Sequence, residues 1–219
     1  MADTSDFKKV LAKNVTLQFP KLNGTYRFNT STQRSEPCAP TASNAAWSVA
    51  FDMPDADAKA LVAELKEHYA ASRSRNSKLP EFKTVFGAKR LKDKDGNPNG
   101  ITQFTAKRNG TKKNGDRNDP PTVIDGAKNP VEKLDFWGGS VGTVRAFAVA
   151  VVDPDGHGGI SLLLDAVQVT EAKYGDGGMD DFDTVEVKKP ADDPFGDIGP
   201  APAAQVKAKP ADLDDEIPF

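Results

Sequence analysis

Large apolar residues thin out abruptly near Tyr174, and this break constrains the fold more than any motif does. Beyond it the chain reads GDGGMDDFDTVEVKKPADDPFGDIGPAPAAQVKAKPADLDDEIPF, punctuated by Gly and Pro and without a strand or helix period. Such a stretch buries too little surface to offset the entropy of ordering it, so disorder is expected over residues 175–219. Any core must therefore come from residues 1–174, a length that suits a single domain. Only 37 % of the 219 residues are hydrophobic, and the shortfall lies in the tail and in polar loops.

Charge divides at the same place. The segment from Gly175 holds twelve acids against four lysines, a charge of −8, so the body carries +5 and the whole chain −3. Within the body, Arg73 to Arg117 has thirteen basic residues and four acids, an excess of +9. A basic body followed by an acidic tail is a more specific object than a nearly neutral protein.

The body reads mainly as β-strands. Lys13 to Phe19 alternates apolar and polar residues up to Pro20, and Asn23-Gly24 leads into Thr25 to Phe28. Asn29 to Asn44 is expected to be a loop and Trp47 to Phe51 a short strand. One helix is expected over Asp55 to Ser72, with Leu61, Val62, Leu65 and Tyr69 as its apolar stripe and Asp57 suiting the dipole. Phe82 to Phe86 and Ile101 to Arg108 follow as strands, separated by dense turn residues from Asp95 to Gly100. Asn109 to Pro121 is a basic loop, and Gly142 to Val152 and Ile160 to Thr170 are strong strands joined by a Gly-rich hairpin. A β-rich body interrupted by one helix is the pattern of an OB-fold, a small β-barrel that binds oligonucleotides on its strands and loops. The helix follows three strand candidates, where an OB-fold would place it between its third and fourth strands.

Several chemistries are disfavoured. Cys38 alone cannot build a disulfide framework, and Cys38, His68 and His157 are too scattered for zinc. The loops starting at Asp93 and Asp153 resemble calcium loops, but their twelfth positions are Phe104 and Leu164 instead of the required Glu, so they read as hairpin turns. There is no GxxxxGK[ST] or GxGxxG, and neither histidine has a recognisable catalytic partner, so neither an enzyme nor a cofactor is expected. The polar start MADTSDFKK and the lack of a long apolar run point to a soluble protein of the cytoplasm.

The basic region interleaves aromatic residues with its charges. Cations neutralise phosphates and release counterions, while flat rings stack on unpaired bases. Candidate contacts for nucleic acid are Lys83, Phe86, Lys89, Arg90, Lys92, Phe104, Lys107, Arg108, Trp137 and Arg145. Each Phe has a competing role in a core, and Trp137, beside Gly138-Gly139, is either an exposed stacking ring or a core edge.

The last residues, Asp212 to Phe219, resemble the acidic, Phe-terminated tip of bacterial single-stranded DNA-binding proteins, in which acids precede Ile-Pro-Phe. The plan of a basic β-rich body, one helix and a Gly/Pro/Asp tail resembles the single-domain bacteriophage members of that group. The stretch Gly138 to Gln168, with its GISLLLDAVQ run, is similar to the same members. The body is longer than the bacterial form and has no obvious tetramer-type core, so bacterial stoichiometry does not carry over. The resemblance implies coating of single strands in phage DNA replication, recombination and repair, in the host cytoplasm. It also implies recruitment of replication partners through Asp214, Asp215, Glu216, Ile217, Pro218 and Phe219. Other readings are an RNA- or duplex-binding protein, or a β-rich structural phage component.

Overall fold

A computed structural model describes residues 7–175; the acidic segment after them, with the tip Asp214 to Phe219, lies outside the described residues. The elements are β1 (Lys8–Asn29), β2 (Arg34–Cys38), β3 (Ala46–Pro54), α1 (Asp55–Arg75), β4 (Phe82–Val85), β5 (Lys89–Lys92), β6 (Pro98–Asn109), β7 (Thr122–Asp125), β8 (Ser140–Val152) and β9 (Gly158–Glu171). The fold is mainly β and OB-fold-like, as the alternation predicts.

Five strands form a closed ring in the order β1-β3-β6-β9-β8 and back to β1. Closure is narrow and parallel: Ala106 pairs with Leu162 and Lys107 with Leu163. Inward-facing Leu17, Val49, Phe51, Phe104, Ala106, Val144, Ala146, Ala148, Ile160, Leu162 and Leu164 fill the ring and are buried. The other strands extend its edges: β2 pairs with β1, β5 with β6, and β4 and β7 with β9.

β1 differs from expectation. Instead of ending at Pro20 it runs on to Asn29, first against β8 and then against β3. Asn14 (φ 51°) and Phe19 (φ 46°) sit where its pairing shifts register, and these bulges bend the strand from one neighbour to the next. Pro20 falls inside the second shift, a place where a residue without an N–H is tolerated in a strand. The expected loop Asn29 to Asn44 also contains β2, which folds back on β1 with Asn29 opposite Arg34 and Thr25 opposite Cys38. Because β2 is an arm outside the ring, β3 is the second ring strand. The helix therefore lies between the second and third ring strands, not the third and fourth.

α1 extends to Arg75, past the expected Ser72, with Asp55 and Asp57 in its first turn and Arg73 and Arg75 in its last, each sign matched to the dipole. It buries Ala58, Leu65, Tyr69 and Ser72 against the ring, while Leu61 and Val62 are only partly covered. Tyr69 packs edge-on against Phe82 at 5.4 Å and donates its hydroxyl to the Pro80 carbonyl at 2.9 Å. Gly158 opens the space it needs, since a Cβ there would lie 2.0 Å from the Tyr69 hydroxyl and 2.8 Å from the Glu81 carbonyl. Gly158→Ala is expected to lower folding stability by about 1–3 kcal/mol, read as a lower urea midpoint at unchanged slope, because the helix must move to admit the methyl group.

Candidate nucleic-acid interface

The outer face of the ring carries an unbroken row of side chains across its strands. Lys9 on β1 lies opposite Phe147 on β8, Phe147 opposite Leu163 on β9, and Leu163 opposite Lys107 on β6. Lys107 then lies opposite Ser48 on β3, and Ser48 opposite Lys21 on β1. Their in-strand neighbours Ala146, Ala148, Leu162, Leu164 and Ala106 are buried, so the row points away from the core.

Part of this face is the floor of a groove of 940 Å³. Phe147, Val149 and Leu163 form an apolar floor, and Phe7 meets Phe147 edge-on at 6.4 Å. Phe86 and Gly87 make one wall, and the end of α1 contributes Ser72, Arg75 and Asn76. Lys107, Arg108, Lys112 and Lys113 supply cations. Lys112 and Lys113 sit on a tight loop closed by Lys112 N–H to the Asp116 carbonyl (2.7 Å) and Gly115 N–H to the Lys112 carbonyl (3.0 Å). The loop is seated by Gly110, whose N–H donates to the Ala45 carbonyl and whose Cα leaves only 2.1 Å between a hypothetical Cβ and the Pro40 oxygen. A larger residue at 110 would have to displace either the Pro40 backbone or the start of the loop that carries the two lysines.

Asp165 organises the arginines. Arg145 Nε donates to one carboxylate oxygen, and Arg108 approaches the other at 4.0 Å. Two guanidiniums share one carboxylate, so a positive charge is left over. The Arg108 Nε–H, though buried, has no hydrogen-bond partner among the described residues. An unpaired buried donor is costly, and a phosphate oxygen entering the groove would satisfy it. Further along the row, Lys21 titrates below the ordinary lysine value, first because it is partly buried and second because Lys107 repels it. An anion between the two would favour the charged form of both.

The sequence-predicted residues scatter. Phe86, Lys107 and Arg108 line the groove, and Arg145 adjoins it through Asp165. Phe104 is a correction: it is fully buried and stacks on Phe51 at 5.7 Å, so no base can reach it. Lys83 lies 2.8 Å from His157 Nε2 at the β8–β9 hairpin. Lys89 and Arg90 line a separate groove beside α1, and Lys92 stands at the far end of β5 opposite Pro98. Trp137 is 62 % exposed, but it does not line the groove, its backbone N–H donating to the Lys173 carbonyl, and Trp47 is buried. The residues that sequence reasoning missed are Phe7, Phe147, Leu163, Lys112 and Lys113. The last two lie in the basic loop, and Phe147 shares a strand face with Arg145.

Asp153, Asp155 and His157 bring potential metal ligands within 4.8 Å of one another. Asp153 is occupied as a turn acceptor, taking the His157 N–H at 2.7 Å, and this contact holds its carboxyl below the usual range. The loop is the turn of the antiparallel β8–β9 hairpin, and Lys83 Nζ lies beside His157.

Two outcomes separate core from groove. Phe104→Ala should cost about 3–5 kcal/mol of folding stability in urea. Phe147→Ala, at a half-buried ring, should cost clearly less stability than Phe104→Ala and weaken binding of a fluorescein-labelled oligo(dT) by about 1–3 kcal/mol, the value of one base–ring stack. Lys21 sets a pH dependence. Its folded value is lowered, so the unfolded chain holds that proton more tightly and this contribution to stability rises as pH climbs through the folded value. Bound phosphate restores the proton, so oligo(dT) affinity should fall with rising pH sooner than in Lys21→Arg; identical profiles would remove Lys21 from the binding face.

A scan against protein-family models and a search of curated proteins find no match to this sequence. Solved structures do match. The single-stranded DNA-binding protein from bacteriophage Enc34, in complex with ssDNA, superposes with a TM-score of 0.55 at 13 % identity, covering 81 % of this chain and 97 % of that one. Gp2.5, a single-stranded DNA-binding protein encoded by bacteriophage T7, gives 0.52 at 19 % identity, covering 85 % of this chain and 100 % of that one. At these identities the likeness is one of architecture, and it spans nearly the whole of both relatives. The chain has the fold of bacteriophage single-stranded DNA-binding proteins.

Proposed function

We propose that this protein binds single-stranded DNA without sequence readout and without catalysis, through the groove on the outer face of the ring. The observation that carries the reading is the groove's composition: the Phe86 and Phe147 rings and the Leu163 floor lie among Lys107, Arg108, Lys112 and Lys113. Rings suit the faces of unpaired bases, which a duplex hides, and every base has such a face. Cations suit the backbone, which carries no sequence. The shared fold with phage single-stranded DNA-binding proteins supports the same reading.

A role in phage DNA replication, recombination and repair, within the host cytoplasm, follows from the resemblance. So does partner recruitment through Asp214, Asp215, Glu216, Ile217, Pro218 and Phe219. The support for the tip is its sequence, an aromatic ring behind three acids, which suits a basic-rimmed apolar pocket on a partner.

Anisotropy of labelled oligo(dT), oligo(U) and duplex DNA over a salt series tests the assignment. Neither tryptophan lines the groove, so the label belongs on the DNA. Oligo(dT) should bind well above duplex, with affinity falling steeply in salt. Lys112→Gln/Lys113→Gln should lower the magnitude of the log–log salt slope by about 0.7 for each phosphate that these lysines neutralise. Equal affinity for duplex, or an unchanged slope in the variant, would contradict the assignment.

A further inference from the structure

A second concavity, of 440 Å³, runs between α1 and β5 and is separate in its lining from the DNA groove, with no residue in common. Its floor is aliphatic: buried Ala58, half-buried Val62 and Ala88, and exposed Ala63. Its charged lining is wholly cationic, from Lys59 and Lys66 on α1 and Lys89 and Arg90 on β5. Asp55, at the start of α1, is already engaged: it accepts the Thr102 hydroxyl at 2.6 Å and pairs with Arg90 at 3.5 Å. Arg90 is thereby anchored to the helix, and three lysines are left facing solvent around an apolar floor.

We propose that this groove docks an acidic, extended protein segment of a partner, with an apolar side chain seated on Val62 and Ala63 and carboxylates on either side. The aliphatic floor offers no ring for a base, and phosphates alone would leave it uncovered; a peptide satisfies floor and rim together. Spacing narrows the chemistry. Lys59 and Lys66 are seven residues apart on one helix face, about 10.5 Å along the axis, with Val62 and Ala63 midway. In an extended peptide, residues two apart share a face at about 6.7 Å, so the pattern acid–x–apolar–x–acid puts the apolar residue over the floor. Its acids then fall within reach of the flexible lysine arms. Nothing in this pairing depends on DNA.

The test uses the full-length protein and a fluorescein-labelled peptide carrying two copies of Glu-Ser-Leu-Ser-Glu, followed by anisotropy with saturating oligo(dT) present to occupy the other basic groove. The peptide should bind, its Gln-substituted counterpart should not, and Lys59→Glu/Lys66→Glu should weaken it at least about tenfold. Thermal melts of this variant and of Lys59→Gln/Lys66→Gln check folding, and the neutral pair should give an intermediate loss. Oligo(dT) affinity measured alone should be unchanged in both variants, which keeps this test separate from that of DNA binding. No peptide binding up to about 1 mM, or equal binding to the charge-reversed protein, would overturn the proposal. So would parallel loss of oligo(dT) affinity, which would make the groove a nucleic-acid surface.

Discussion

The parallel pairing of β6 with β9 is the contact on which the rest of the molecule depends. Two residue pairs close the ring there, and because side chains alternate along a strand, they also decide which residues face in and which face out. Ala106 and Leu162 go to the core, Lys107 and Leu163 to the surface. A shift of one residue would bury a lysine and expose the core. The same closure sets Arg108 and Asp165 within ion-pair distance, and the loop after β6 then carries Lys112 and Lys113 over the outer face.

The groove that results joins two requirements that usually conflict. An apolar floor needs shelter from water, and a phosphate site needs concentrated positive charge. Here the floor comes from strand positions, while the charge is shared between the end of β6, with Lys107 and Arg108, and the loop after it, with Lys112 and Lys113. Asp165 keeps Arg108 and Arg145 from repelling one another while one carboxylate falls short of neutralising both. Lys21 and Lys107 have no such counter-ion between them among the described residues, and Lys21 titrates low first because it is partly buried and second because Lys107 repels it. A polyanion in the groove would relieve both pairs of cations.

Much of this was legible in the sequence, for identifiable reasons. Strands of β8 and β9 type and the helix announce themselves through local periodicity, which needs no partner. Parity relative to the core does need one. Phe104 and Phe147 both lie in strands close to arginines, and only the register with β3, β8 and β9 shows that the first stacks on Phe51 and the second floors the groove. Pro20 read as a strand end because its missing N–H normally stops a ladder, whereas the neighbouring bulge absorbs it. The seat of the basic loop depends on Gly110 fitting beneath the Pro40 carbonyl, a contact between segments far apart in sequence. The cluster Lys89–Arg90 looked like part of one basic surface with Lys107, yet β5 turns it toward the helix.

Ultraviolet crosslinking of bound oligo(dT) to the full-length protein, with the attachment sites mapped by mass spectrometry, addresses the central claim most directly. The account predicts crosslinks at Phe86 and Phe147 and at neighbouring residues of β6 and β9. Crosslinks confined to Trp137, or to β5 and the helix, would contradict it.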